Sequence, residues 1–165
     1  MTEEKSALTR LEQEGEIAAD YLEELLDISD LDGDLDIDVE NGRSVVAIVS
    51  EEYGDRWLRK LVGKDGEVLD ALQELTRLAV QAKTGERSRL MLDIADFRKT
   101  IKVSLQHQAA EAVSKVKESG ERQSMAPMNP FERKVVHDAV KAAGLTSSSS
   151  GVEPNRYVVI EPAEA

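Results

Sequence analysis

Hydrophobic and polar positions follow two different periods in the first third of the chain. Between residues 8 and 28, aliphatic side chains recur every three or four positions among acidic ones, which predicts an amphipathic helix. Residues 34–40 alternate acidic and aliphatic positions, which predicts a strand with one buried face. After the hairpin turn Asn41-Gly42, the apolar run 43–50 predicts a central strand that is covered on both faces.

The next stretch predicts two helices that are separated by a glycine loop. A short helix over 53–62 leads into the loop, and an amphipathic helix follows from about residue 66 to residue 83. A third strand is predicted over 90–94 because aliphatic positions alternate there. Residues 1–7 are polar and lack an apolar period, which predicts a disordered tail.

The last third of the chain predicts helices beside a small antiparallel sheet. In order, it predicts a helix, an extended segment, a second helix and two strands, over residues 97–120, 123–127, 130–143, 145–150 and 156–160. Asn129 as N-cap and Pro130 in the first turn mark the beginning of the second helix. The last residues, 163–165, are predicted as a tail. The fold class expected for the whole chain is α+β, with two small domains.

Gly63 and Gly66 make the loop between the two helices a candidate binding site. Glycine has no Cβ, so it permits a sharp turn and the close approach of a ligand. A helix that begins directly after the loop points N–H groups and a partial positive charge at it, which suits a phosphate. Asp65 is placed to cap this helix, although its charge beside Lys64 should weaken phosphate binding.

The helix over 130–143 carries a second candidate cluster. A helical projection places Arg133 and His137 one turn apart, at the boundary between the core face and solvent. Lys134 and Lys141 extend a basic edge beside them, and such an edge can contact phosphates. Because histidine can gain a proton near neutral pH, binding is expected to tighten toward about pH 6. The alternative is a solvated helix flank in which His137 bonds a nearby backbone group.

Charge is distributed unevenly along the chain. The net charge is −12, but residues 1–55 hold 18 acidic and 3 basic residues, which leaves 15 acidic and 18 basic residues, a net charge of +3, for the rest. This distribution is compatible with nucleic-acid binding by the later part and also with a protein-interaction adaptor. No apolar run reaches the ~20 residues of a membrane span, and the polar start lacks a signal-peptide pattern. The sequence therefore predicts a cytoplasmic protein without direct membrane insertion.

Metal and enzyme chemistry have little support in the sequence. The acidic stretch 30–40 would be a calcium loop only with glycine at its sixth position and glutamate at its twelfth, where Leu35 and Asn41 stand. There is no cysteine, there are two histidines, and the sequence shows no clustered acid–base or nucleophile–base set. We therefore predict a protein that is not an enzyme and that binds neither a metal nor a cofactor.

Two stretches together resemble a known family. Residues 61–73 closely resemble the loop of a type II KH domain in the Jag/KhpB family, also called SpoIIIJ-associated proteins. The motif Arg133-x-x-x-His137, the preceding residues 128–132 and the later Ser149-x-Gly151-x-Glu153-Pro154-x-Arg156 resemble an R-three-H domain. A KH domain followed by an R-three-H domain is the arrangement of that family. The resemblance implies a KH domain over 8–95 and an R-three-H domain over 96–162, which includes the connecting helix.

The resemblance implies that the protein binds single-stranded RNA. The residues expected to contact RNA are Gly63, Lys64, Asp65, Gly66, Arg133, Lys134, His137 and Arg156. An apolar wall formed by Val62, Val68 and the third strand would receive bases. The resemblance also implies a small KH protein, KhpA, as a partner, and post-transcriptional regulation linked to cell-envelope growth and division. A protein-interaction adaptor and a single-stranded DNA binder are the alternatives.

Overall fold

The computed structural model describes residues 2–50 and 55–163, and it divides the chain into two compact units at the boundary between Arg98 and Lys99. We call the part up to Arg98 unit 1 and the part from Lys99 unit 2. Each unit contains helices and a three-stranded sheet, so the predicted α+β fold class with two small domains is confirmed. None of the helices in the described ranges is long and apolar enough to cross a membrane.

Unit 1 has the element order that the sequence predicts. Its elements are α1 Thr2–Ile28, β1 Asp34–Glu40, β2 Arg43–Val49, α2 Asp55–Val62, a 3-10 turn Lys64–Gly66, α3 Glu67–Thr84 and β3 Met91–Ile94. The sheet order is β1-β2-β3, with β1 antiparallel and β3 parallel to β2. Asn41 and Gly42 have positive φ angles of 50° and 70°, so they form the expected hairpin turn. The predicted start of α2 at residue 53 lies outside the described residues.

The core of unit 1 lies on one face of this sheet. Val46 and Ile48 of β2 and Leu92 of β3 are fully buried, together with Leu22 of α1. The other face of β2 is only half-buried, so the prediction that β2 is covered on both faces is wrong. The register explains the difference, because the half-buried β2 residues lie beside carboxylates of β1, in the pairs Val49–Asp34, Ala47–Asp36 and Val45–Asp38.

Helix α1 begins earlier than its hydrophobic pattern indicates. It includes residues 2–7, for which the sequence predicts a disordered tail, and this prediction is wrong. Residues 3–10 are exposed, so they leave no apolar signature in the sequence. Extending a helix that is already anchored by Ala18 and Leu22 costs little, and Glu3 and Glu4 in the first turn favour the helix dipole.

Unit 2 packs two helices on a second sheet. Helix α4 Phe97–Ser119 begins in unit 1 and continues into unit 2, where β4 Gln123–Ser124, α5 Pro130–Ala142, β5 Thr146–Ser150 and β6 Tyr157–Glu161 follow. The sheet order is β4-β6-β5, with both neighbours antiparallel to β6. Asn129 caps α5 in a reciprocal box with Glu132, as its position before Pro130 predicts. Of the predicted tail, Ala163 has no regular structure and residues 164–165 lie outside the described part.

Gly66→Ala is expected to destabilise unit 1 more than Gly85→Ala. Both glycines have left-handed φ angles, of 83° and 76°, so alanine is strained at either position. Only at Gly66 would the new Cβ collide with a neighbour, 2.8 Å from Phe97 Cε1, whereas nothing lies within 4 Å at Gly85. The collision should cost roughly 1–3 kcal/mol more. Urea unfolding followed by the fluorescence of Trp57 in unit 1 measures both variants, and equal losses would contradict this packing.

Candidate nucleic-acid interface

The turn between α2 and α3 holds both of its glycines in the left-handed region. Gly63 has a φ of 73°, and Gly66 has a φ of 83°. A Cβ on Gly63 would lie 2.5 Å from Val68 Cγ2, and a Cβ on Gly66 would touch the ring of Phe97. Glycine is therefore needed at each position for two reasons: the φ angle is positive, and a neighbouring side chain leaves no space for a Cβ. The prediction of a sharp glycine turn in front of a helix is confirmed.

The N-terminus of α3 faces this turn without a side-chain cap. Its N-cap is Gly66, and no side chain within the described residues caps it. The prediction that Asp65 caps the helix is wrong, because Asp65 has a left-handed φ of 54° and precedes the N-cap position. The amide of Glu67 donates to the Lys64 carbonyl within the 3-10 turn. The first amides of a helix have no acceptor one turn earlier within it, so we expect the next N–H groups of α3 and a partial positive charge to point toward the turn.

Charges at the tip of the turn nearly cancel. Lys64 and Asp65 are both exposed, so a positive and a negative side chain stand next to each other. Further positive charge comes from α2, whose Arg56, Arg59 and Lys60 are exposed just before the turn. These three residues are not among those that the sequence predicts to contact RNA. Their signal was three basic residues within an eight-residue helix that leads directly into the glycine loop.

The apolar wall expected to receive bases is mostly inside the core. Val62 is 4% exposed, and Leu92 and Ile94 of β3 are fully buried among the helices of unit 1. Val68 is half-buried and packs against Gly63. The wall as predicted is therefore wrong, because the aliphatic residues of an edge strand turn toward the helices that cover it. Val68 is the member of the predicted wall that lies half-buried directly beside the turn.

Arg133 lies inside unit 2 instead of at its boundary with solvent. The residue is 9% exposed, and its guanidinium donates from Nη1 to Met128 O at 2.7 Å and from Nη2 to Glu153 Oε1 at 2.6 Å. The Met128 amide in turn donates to the Arg156 carbonyl. Arg133 therefore ties the beginning of α5 to the turn before β6. The predicted boundary position is wrong, because a helical projection does not include the distant carboxylate of Glu153.

His137 is half-buried between α5 and β5. Its Nδ1 shares a hydrogen bond of 2.6 Å with Ser147 Oγ, and its Nε2 shares one of 2.8 Å with Ser149 Oγ. The alternative in which His137 bonds a backbone group is therefore wrong. Burial lowers the pKa of His137 below its ordinary value, Asp138 raises it, and Arg133 and Lys134 lower it further. The expected gain of charge toward about pH 6 is correspondingly reduced.

Three of the exposed cations of unit 2 lie on the outer side of α5 and in the turn before β6. Lys134 is 68% exposed and forms an ion pair with Asp138 at 2.5 Å, which is the kind of surface pair that contributes little stability. Lys141 is exposed on the same side of the helix, seven positions further along. Arg156 is also exposed, next to the residues that Arg133 and Met128 hold in place. These cations can meet an anionic ligand without disturbing the core.

Comparison with known proteins places these two units in one family. The chain is 33% identical over 144 residues to RNA-binding protein KhpB of Clostridium symbiosum, which covers 87% of this chain and 64% of the relative. It is 31% identical over 143 residues to RNA-binding protein KhpB of Streptococcus pneumoniae serotype 2, which covers 86% of this chain and 42% of the relative. The chain belongs to the Jag/KhpB family. The resemblance noted from the sequence is thereby confirmed.

Two further findings bear on unit 2 and on the extent of the match. Residues 103–162 match the R-three-H domain family, and this range contains Arg133, His137 and their partners. The chain is also 32% identical over 109 residues to Sperm-associated antigen 7 of Mus musculus, over 65% of this chain and 39% of that protein. The chain spans between 42% and 64% of the length of the two KhpB relatives described above.

Unit 2 of this Jag/KhpB protein should lose stability as the pH falls below about 6.5. The folded state holds the pKa of His137 below its usual value, so the unfolded state binds the proton more readily and stability rises with pH. The contribution of His137 to the free energy of unfolding is complete at a pH above the pKa of the histidine in the unfolded state. It is lost as the pH falls through the pKa of His137 in the folded state, and each unit of difference between the two pKa values corresponds to about 1.4 kcal/mol.

Thermal unfolding can be followed by the methyl NMR signals of Val158 and Ile160, which are buried in the core of unit 2. His137→Gln should remove this part of the pH dependence, whereas His107→Gln, which changes an exposed histidine of α4, should leave it in place. A pH dependence that survives in His137→Gln would show that another group is responsible.

Proposed function

We propose that this Jag/KhpB protein binds single-stranded RNA and has no catalytic role, with the turn at Gly63–Gly66 holding the sugar-phosphate backbone. The relatives named RNA-binding protein KhpB support the ligand. The geometry of the turn is the observation that carries the proposal. Two left-handed glycines and an uncapped helix N-terminus place backbone N–H groups where no Cβ keeps a ligand away.

In this proposal the strand passes over the backbone of residues 63–66. The amides of Val68 and Leu69 in the first turn of α3 and the Lys64 ammonium group donate to phosphate oxygens, while Gly63 and Gly66 allow the sugar to come close. Asp65 faces the same phosphates and reduces the affinity by repulsion. Val68 is the half-buried apolar residue beside the turn and offers a surface for a base edge. The expected site is therefore shallow and of modest affinity.

Unit 2 supplies a second contact for the same strand in this proposal. Lys134 and Arg156 are exposed cations that would meet phosphates. His137 would contribute by holding β5 beside α5, because its two ring nitrogens are hydrogen-bonded to Ser147 and Ser149. Arg133 would act by positioning, because its guanidinium is committed to Met128 and Glu153. Two weak contacts on one chain raise the overall affinity through effective concentration.

The partner and the cellular role belong to the same proposal. A small KH protein of the KhpA kind would dock on the outer face of α3, where Leu75 and Leu78 are 49% and 59% exposed. This face also favours the second candidate function, a protein-interaction adaptor. Binding of RNA in the cytoplasm would serve post-transcriptional regulation linked to cell-envelope growth and division, as the family resemblance implies.

Charge changes at the tip of the turn should alter RNA affinity in opposite directions. Lys64→Asp should weaken binding and reduce the salt dependence by about one unit of slope, because one phosphate contact is lost. Asp65→Asn should tighten binding about two- to five-fold, because it removes a repulsive charge and asparagine tolerates the left-handed backbone. Titration of a labelled single-stranded RNA at two salt concentrations, followed by fluorescence anisotropy, measures both effects.

Lys83→Asp is the matched control for these variants. It makes the same charge change as Lys64→Asp at an exposed position in the last turn of α3. The two positions are separated by nearly the whole length of this helix, well beyond the Debye length of about 8 Å at physiological salt. Equal effects at both positions would indicate a general electrostatic response and would contradict the proposed site. A parallel titration with DNA of the same sequence distinguishes the two nucleic acids.

A further inference from the structure

The exposed side of α2 has an unusual composition for this acidic protein. Its exposed residues are Arg56, Trp57, Arg59 and Lys60, while Leu58 and Val62 point into the core. Three positive charges and one large aromatic side chain therefore share the outer surface of an eight-residue helix. The chain as a whole carries a net charge of −12, so this surface is opposite in sign to the protein as a whole. Such a patch suits an anionic ligand.

Trp57 is the central feature of this surface. It is 55% exposed, and the Nζ atom of Lys60 lies 4.2 Å from the centroid of its ring. A single exposed apolar residue is ordinary in a folded protein and would carry no argument alone. Here the ring is combined with cations on the same helix, and a positively charged surface with an aromatic face is the combination that binds single strands.

The position of α2 connects this surface to the glycine turn. The helix ends at Val62, so that Gly63 follows without a linker and its amide donates to the Arg59 carbonyl. Trp57 and Gly63 are six residues apart, which is about 9 Å along a helix axis. Lys64 continues the series of positive charges into the turn. A strand that lies across the turn is therefore within reach of the indole ring.

We propose that Trp57 stacks on a base of the same strand whose backbone lies on the Gly63–Gly66 turn, and that Arg56, Arg59 and Lys60 neutralise the flanking phosphates. This proposal rests on the proposed function, because it extends the RNA site of unit 1 along α2. A base has a π-face whatever its sequence, so this contact adds affinity without sequence preference. It also offsets the repulsion from Asp65 at the tip of the turn.

The intrinsic fluorescence of the protein gives a direct test. Trp57 is the only tryptophan in the chain, so any change in indole emission reports this one residue. A labelled single-stranded RNA of mixed sequence is titrated into the full chain, with anisotropy of the label and indole emission recorded together. We expect quenching of the indole that follows the same binding curve as the anisotropy. Binding by anisotropy without quenching overturns the stacking proposal, whereas the absence of any binding instead removes the proposed function.

Variants at Trp57 provide the second measurement. Trp57→Ala should weaken RNA binding by about five- to hundred-fold, the usual range for one lost base stack, and Trp57→Phe should lose less because it keeps a ring. Val103→Ala is the control, since it truncates an apolar side chain of similar exposure, 60%, on α4. Melting curves by circular dichroism check that all three variants fold.

An abasic strand separates stacking from charge. Its phosphates remain, so Trp57→Ala should bind it as well as the parent does if the indole contacts a base. An equal loss on abasic and normal strands would overturn the proposal, as would unchanged affinity of Trp57→Ala for the normal strand. The remaining alternative is a docking site for an acidic protein segment. If an acidic peptide quenches Trp57 while saturating RNA does not, this surface serves a protein and the proposal is wrong.

Discussion

The turn at Gly63–Gly66 is the constraint on which the arrangement of unit 1 depends. Strands β2 and β3 are parallel neighbours, so the chain must cross from one end of the sheet to the other, and α2, the turn and α3 make this crossing. The turn has to redirect the chain while both helices keep their apolar side chains in the one core that they share with the sheet. Only residues without a Cβ fit, because Val68 and Phe97 occupy the space that side chains would need.

The same constraint makes the turn suitable for a ligand. A backbone that is crowded on its inner side by Val68 and Phe97 presents its outer side without side chains at the glycine positions. Unit 2 also has a turn that is fixed next to a helix, but here a side chain fixes it. Arg133 donates hydrogen bonds to Met128 and Glu153 and so holds the turn before β6 next to α5. In unit 1 the backbone itself is available for contact. In unit 2 the groups that are available for contact with RNA are the exposed side chains around Arg133.

Local patterns in the sequence predicted most of the elements, because helix and strand periods, caps and turns are encoded within a few residues. Asn129 before Pro130 and the turn at Asn41 are examples in which one side chain or one backbone angle decides the structure. Features that depend on distant partners were missed. Neither the hydrogen bond of Arg133 to Glu153 nor the carboxylates beside β2 can be read from the spacing of apolar residues.

The residues of the candidate site also fall into two groups, those that local sequence predicts and those that depend on distant partners. Gly63 and Gly66 could be predicted because a glycine pair before an amphipathic helix has a local physical meaning. The role of His137 depends on Ser147 and Ser149, which reach it only when β5 lies beside α5. The surface of α2 was visible in the sequence as basic residues around Trp57. The spacing predicts that this helix leads into the turn, but only the structure shows that its basic residues and Trp57 are exposed together.

In the proposed function, the backbone of the Gly63–Gly66 turn contacts the RNA strand. The most direct test follows the backbone amide signals of the full chain by NMR while a short single-stranded RNA is added. If the turn holds the strand, the largest shifts occur at the amides of residues 63–69, with smaller shifts around Lys134 and Arg156. Saturation of the protein with RNA while the amides of residues 63–69 remain unchanged would contradict this contact.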